Sequence, residues 1–172
     1  MTRQKLLADS ITETRTLLGR YLRDFDDSNH TRQAPGLPNH VAWSLGHLAL
    51  TMHRVAQKLD GKTPPATDFV EGATCDAGRF ATEAVSFGSK PTADAKAYPP
   101  FVRCNKIFSD AIDRLSSACL ASSDSVLDSM TKWGAGETTL GSVAMRMVFH
   151  NGTHCGQIAD LRRALGMGSI FA

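Results

Sequence analysis

The chain has 172 residues, 42% of them hydrophobic and 21% charged. That is the balance of a globular domain rather than a disordered segment, and the length suits one domain, residues 1–172, that buries its core without staples. Formal net charge is +2, with both signs interspersed and no basic track for a phosphate backbone, which argues against a nucleic-acid partner. The N-terminal stretch MTRQKLLADSITETRTLLG has no apolar signal-peptide region, and no apolar run approaches the ~20 residues of a membrane span. The cysteines Cys75, Cys104, Cys119 and Cys155 form no C-x-x-C pair and read as reduced thiols of a cytoplasmic protein.

The first predicted helix covers Thr2 to Asp26. Leu7, Ile11, Leu18, Leu22 and Phe25 recur at three- and four-residue steps and line one face. Pro35, Gly36 and Pro38 punctuate a loop. A second helix starts near Asn39, a good N-cap, and stops at Asp60 before Gly61. It carries two apolar stripes, one from Val41 through Leu45, Leu48, Met52 and Val55 to Leu59, the other through Trp43, His47 and Leu50. Two stripes predict burial on more than one side. The connection from Lys62 to Ala97 is rich in glycine and proline, with room for a short helix around Asp76 to Val85. A connection this long crosses over a domain or shapes a site, and in a bundle it lets the second and third helices run parallel.

The third helix begins at Pro99 or Pro100 and displays Phe101, Cys104, Phe108, Ile112, Leu115 and Cys119, ending at the serines before Asp124. A linker with Trp133, Gly134 and Gly136 follows. The fourth helix opens at Thr138 or Thr139 and ends at Leu165, with Arg162 and Arg163 complementing the dipole of its last turn. No segment reads as a strand. The pattern is all-α, simplest as a four-helix bundle.

Chemistry is concentrated in that fourth helix. His150 and His154 lie four residues apart among Met147, Ile158 and Leu161. At ~100° per residue both rings leave one face and can meet one ion. Zinc needs a third protein ligand, and keeps a fourth position open when catalytic. His47, on another helix beside an apolar stripe, is the obvious donor. The pattern alone leaves the bland reading open, because six histidines would give such a pair in ~0.2 of random chains, and core histidines are usually hydrogen-bonded. Two on one arc each need a buried partner, and an unsatisfied one costs ~1–3 kcal/mol; a shared metal serves both.

His53 falls about 120° from His47 in helical phase and should not join that ion. His30, His40 and His53 read as surface or structural. Gln157 is an ordinary glutamine or a group behind the ligands, Asn151 orients a ligand or bridges helices, Cys155 packs, and Trp43 walls the site or fills the core. No Walker, G-x-G-x-x-G or G-x-S-x-G motif occurs.

Two passages and a long crossover carry a family resemblance. NHVAWSLGHLALTMHRV places a tryptophan four before His47, the crossover follows LDGKTPP, and HNGTHCGQIADLRRALG has H-x-x-x-H, then G-Q, then an L-R-R-x-L-G end. In these the chain resembles the DinB/YfiT-like superfamily over nearly its whole length. The resemblance implies a bundle in up-down-down-up order and a metal site formed by His47, His150 and His154, holding a divalent ion, zinc or nickel first among them. It also implies a homodimer, and a reaction like those of relatives that use low-molecular-weight thiols: S-transferases, and an isomerase with a thiol cofactor.

The leading expectation is a metal-dependent enzyme, a thiol transferase or hydrolase, in which thiolate or hydroxide attacks a small electrophilic substrate. No catalytic acid or base stands out beside the histidines. The alternative is a non-catalytic binding or stress-response module, its metal closed off by a fourth ligand such as Asn151, Glu71 or Asp76. A third reading has no metal at all.

Overall fold

A computed structural model describes residues 1–171. It is mainly helical, with α1 over Arg3–Tyr21, α2 over Val41–Asp60, α3 over Phe101–Ala121, a short α4 over Asp124–Asp128 and α5 over Leu140–Ala164. The four long helices pack together: α1 and α2 each lie against both α3 and α5. Among the described residues no helix is long and apolar enough to cross a membrane.

The helix starts follow local chemistry. Thr2 and Thr139 cap α1 and α5 by accepting N–H bonds from Lys5 and Ser142, each at 3.2 Å. Pro100 precedes α3, where a missing N–H costs nothing. At α2 the cap is His40 rather than Asn39: its Nδ1 accepts the Trp43 N–H at 3.2 Å. Gly61 ends α2 at φ +73°, a left-handed conformation that glycine adopts freely. Helix α2 is buried on nearly every side, as its two stripes require.

Helix α1 stops at Tyr21, short of Asp26. Asp24 takes a left-handed φ of +68°, and Phe25 turns into the core. The freed carbonyls of Tyr21 and Arg23 accept N–H bonds from Arg162 on α5. Arg162 is therefore buried and compensates the C-terminal dipole of α1 in addition to that of its own helix.

The expectation of no strands is corrected. Met130–Trp133 (β1) and Gly136–Thr139 (β2) pair antiparallel in the last linker. Gly134, at φ +62°, supplies the positive angle at the first central position of the two-residue turn. Within the crossover, Phe69–Val70 and Phe80–Ala81 form a small parallel pair. The short helix expected around Asp76 to Val85 does not form. Arg79 and the Gly78 N–H both bond the Asp76 carboxylate, making a turn that delivers Phe80 to full burial in the core.

That burial depends on Gly46. A Cβ there would meet the Phe80 ring at 2.7 Å and Val85 Cγ1 at 2.9 Å, too close for any side chain. The crossover is also tied to α3. Arg103 bonds Asp68, the Thr67 carbonyl and the Gly78 carbonyl, and Arg114 bonds Asp60, the Thr63 carbonyl and the Lys62 carbonyl.

Candidate metal centre

His47 leaves α2 toward α5, and His150 and His154 leave α5 toward α2. Their ligand-competent atoms all lie within 4.8 Å of one another. His47 Nε2 and His150 Nε2 are 3.2 Å apart, and the ring centroids are separated by 4.9–5.2 Å. His47 and His154 are buried and His150 half-buried.

The His47–His150 pair fits a divalent ion. Two nitrogens held at ~2.0–2.1 Å from zinc sit about 3.0 Å apart at a right angle and about 3.4 Å apart at the tetrahedral angle; the His47–His150 separation falls between. Burial holds the pKa of His47 below the ordinary histidine value, with the backbone bond to Val85 opposing. It lowers His150 to about 4 and His154 to about 3, helped by the neighbouring rings. The rings are neutral at pH 7, as metal ligands must be. His150 Nδ1 and His154 Nδ1 are buried without a hydrogen-bond partner, so the protein leaves this cluster incompletely satisfied.

His47 is the best-held ring. Its Nδ1 donates to the Val85 carbonyl at 2.9 Å, which fixes the tautomer and frees the Nε2 lone pair. Trp43 stacks on it, centroids 4.6 Å apart and planes 11° from parallel. The Trp43 indole N–H donates to Ser89 Oγ at 2.9 Å, and Ser89 in turn bonds the Ala84 and Ser86 carbonyls. Trp43 thus both walls the site and fills the core. Gln157 adjoins His154 and accepts from Asn39 Nδ2 at 3.3 Å, which makes it a group behind the ligands.

The other expected partners point elsewhere. Asn151 bonds Thr14 on α1 at 2.8 Å, the cross-helix alternative. Glu71 accepts from Thr82, and Asp76 pairs with Arg79, so neither carboxylate is free for the cluster, while Asn151 keeps a buried Oδ1 without a partner. Cys155 packs in the core, where burial pushes its thiol up to about 11. His30, His40 and His53 are all buried, which corrects the surface reading and leaves the structural one. His30 Nε2 lies 3.3 Å from the Pro99 carbonyl, His40 Nε2 lies 2.9 Å from the Thr92 carbonyl, and His53 Nδ1 faces Arg114 at 3.1 Å.

A cleft of about 540 Å³ opens beside the cluster, lined by His47, His150, Thr51, Phe87, Trp133, Gly134, Arg146 and Met147. Sequence reasoning missed most of this lining, and the Val85 carbonyl with it. Gly46 was the available signal: a glycine inside a buried helix, next to a candidate ligand, marks a close approach.

Helices α2 and α5 thus make a mainly α protein with a three-histidine pocket competent to hold a metal ion. The DinB superfamily sequence profile matches residues 10–158, and the chain belongs to that superfamily. The crystal structure of a conserved protein from Enterococcus faecalis superposes with a TM-score of 0.72 at 13% identity, covering 95% of this chain and 97% of that one. At that identity the likeness speaks to the fold. No curated protein matches the chain.

Proposed function

We propose that His47, His150 and His154 hold one divalent ion, zinc or nickel, and that the chain is an enzyme acting on a small electrophilic substrate in the adjoining cleft. The observation that carries this reading is the convergence of three neutral ring nitrogens, from two helices, within 4.8 Å. Such an ion supplies Lewis acidity, bringing a thiol or water to its nucleophilic form near neutral pH. The residues around it do the rest. Val85 and Trp43 hold the His47 ring in one tautomer and orientation. Phe87, Trp133 and Met147 line the cleft with apolar surface, which a substrate with an apolar body would cover. Among the described residues no carboxylate lines the cleft, so no carboxylate there serves as a general base, and a low-molecular-weight thiol fits as co-substrate. The pairing of Glu71 with Thr82 and of Asp76 with Arg79 favours an open coordination position over a site closed by a carboxylate.

Helix pairings support an up-down-down-up bundle. Arg15 of α1 meets Asp113 of α3, and Thr14 meets Asn151 of α5. His40, before α2, packs on Tyr98 before α3. Asp60 at the end of α2 meets Arg114 farther along α3, and Asn39 meets Gln157. These fit α1 parallel to α5 and α2 parallel to α3, in one domain. Its free cysteines suit the reducing cytoplasm, and a homodimer is the expected assembly.

Metal analysis of tag-free protein tests the centre. Wild type should carry about one ion per chain and His150→Ala should lose at least ~10-fold in affinity. Equal metal content in the two proteins removes the proposal.

A further inference from the structure

Helix α5 aims an arginine at the cleft as well as a histidine. Arg146 stands four residues before His150, one turn along the same face, and lines the same hollow. The arginines packed against the core are spent on structure: Arg103 on Asp68, Arg114 on Asp60, Arg162 on Asp24 and main-chain carbonyls. Among the described residues Arg146 makes neither an ion pair nor a hydrogen bond. It lies exposed in a lining that, among the described residues, contains no aspartate or glutamate to balance its charge.

The rest of the lining has a different preference. Phe87 is 93% exposed, an aromatic ring held in water at the cleft and absent from the core. Trp133, half-buried in the β1–β2 hairpin, and Met147 add further apolar surface. Rings in such positions gain by covering one another or a ligand. The guanidinium presents a planar fork of donors that matches an oxyanion. A cleft of about 540 Å³ is in the range of small-molecule sites.

We propose that the ligand of this cleft is an amphipathic organic anion, its carboxylate or phosphate on Arg146 and its apolar body against Phe87, Trp133 and Met147. The inference rests on the proposed metal centre only for the direction in which the ligand's reactive end points; recognition of the anion stands on Arg146 and the lining. The assignment makes Arg146 a specificity residue.

Calorimetric titration of the full chain with benzoate, phenyl phosphate and benzamide tests it, in metal-loaded and chelator-treated samples. Wild type should bind at least one of the anions about 10-fold more tightly than neutral benzamide. The two anions separate the carboxylate from the phosphate form of the site. Arg146→Gln should lose that preference, Arg146→Lys should keep part of it, and Phe87→Ser should weaken all three ligands together. Equal binding of the anions and benzamide by wild type, or a preference unchanged in Arg146→Gln, overturns the assignment. Metal analysis of the same samples separates the two readings. Protein that takes up no ion when metal is supplied, yet still discriminates through Arg146, keeps the anion site and removes the metal centre. Metal-loaded protein that does not discriminate removes the anion site alone.

Discussion

Helix α2 carries His53 toward α3 and His47 toward α5, and the two seams treat these rings differently. Against α3 the contact is long and its polar groups are mostly matched. Arg114 meets the His53 ring, the Asp60 carboxylate and two main-chain carbonyls, while Phe69 packs edge-on to His53 at 5.6 Å. Against α5 the contact is shorter. Three rings face one another and a cleft opens alongside; ring nitrogens go without a partner in both seams, His150 Nδ1 and His154 Nδ1 here and His53 Nε2 in the other. The same residue type on one helix thus meets a guanidinium in one seam and two other imidazoles in the other. What separates them is the neighbour: a cation that consumes the lone pair, or other neutral rings that do not.

Acid should strike first. In the folded chain burial lowers His40 and His53 to about 4, His53 with help from Arg114 and against Asp68, Asp110 and Asp60. The unfolded chain, with histidines near 6.5, takes up protons sooner. Stability is therefore full above pH ~6.5 and lost as pH falls toward 4, by on the order of 3 kcal/mol for each ring. Urea unfolding across that range should show the loss, and His53→Gln should make it shallower. A slope that the substitution leaves unchanged would mean that the α2–α3 seam does not depend on a neutral His53.

Arg114→Ala is next. It strands a largely buried Asp60 and two carbonyls, so it should cost about 2–3 kcal/mol in denaturant unfolding while metal content stays at the wild-type level. Loss of metal in this variant would show that the seams are not independent. The smallest expected effect belongs to Gly46→Ala. The added methyl drives against Phe80 and Val85 and should destabilise by about 1–3 kcal/mol. Because it displaces the carbonyl that holds His47, metal affinity should fall with it. A stability loss with affinity untouched would disconnect the Val85 contact from the centre.

Helices were the legible part of the sequence, because a 3.6-residue period survives in any long amphipathic segment. The stripes of α3 and α5 placed both elements to within a residue or two, and the i, i+4 histidines with His47 gave the cluster. The connections hide what period cannot encode. Met130, Thr131, Lys132 and Trp133 alternate over too few residues to declare a strand, although Gly134 sits where a hairpin turn needs it. Nothing in the local sequence marks Phe87 or Arg146, and only the path of the chain brings them to the same cleft. His40 passed as a surface or structural residue because its role as a cap, in place of Asn39, depends on where the backbone leaves the helix.

The acceptor that orients His47 belongs to the peptide backbone of Val85, and every amino acid has the same carbonyl. Replacing the valine with another residue of similar bulk would leave that bond in place. Two homologues could then differ throughout this loop and still set the same imidazole in the same way, with nothing in an alignment to register it. Sequence comparison will find the rings long before it finds what steers them.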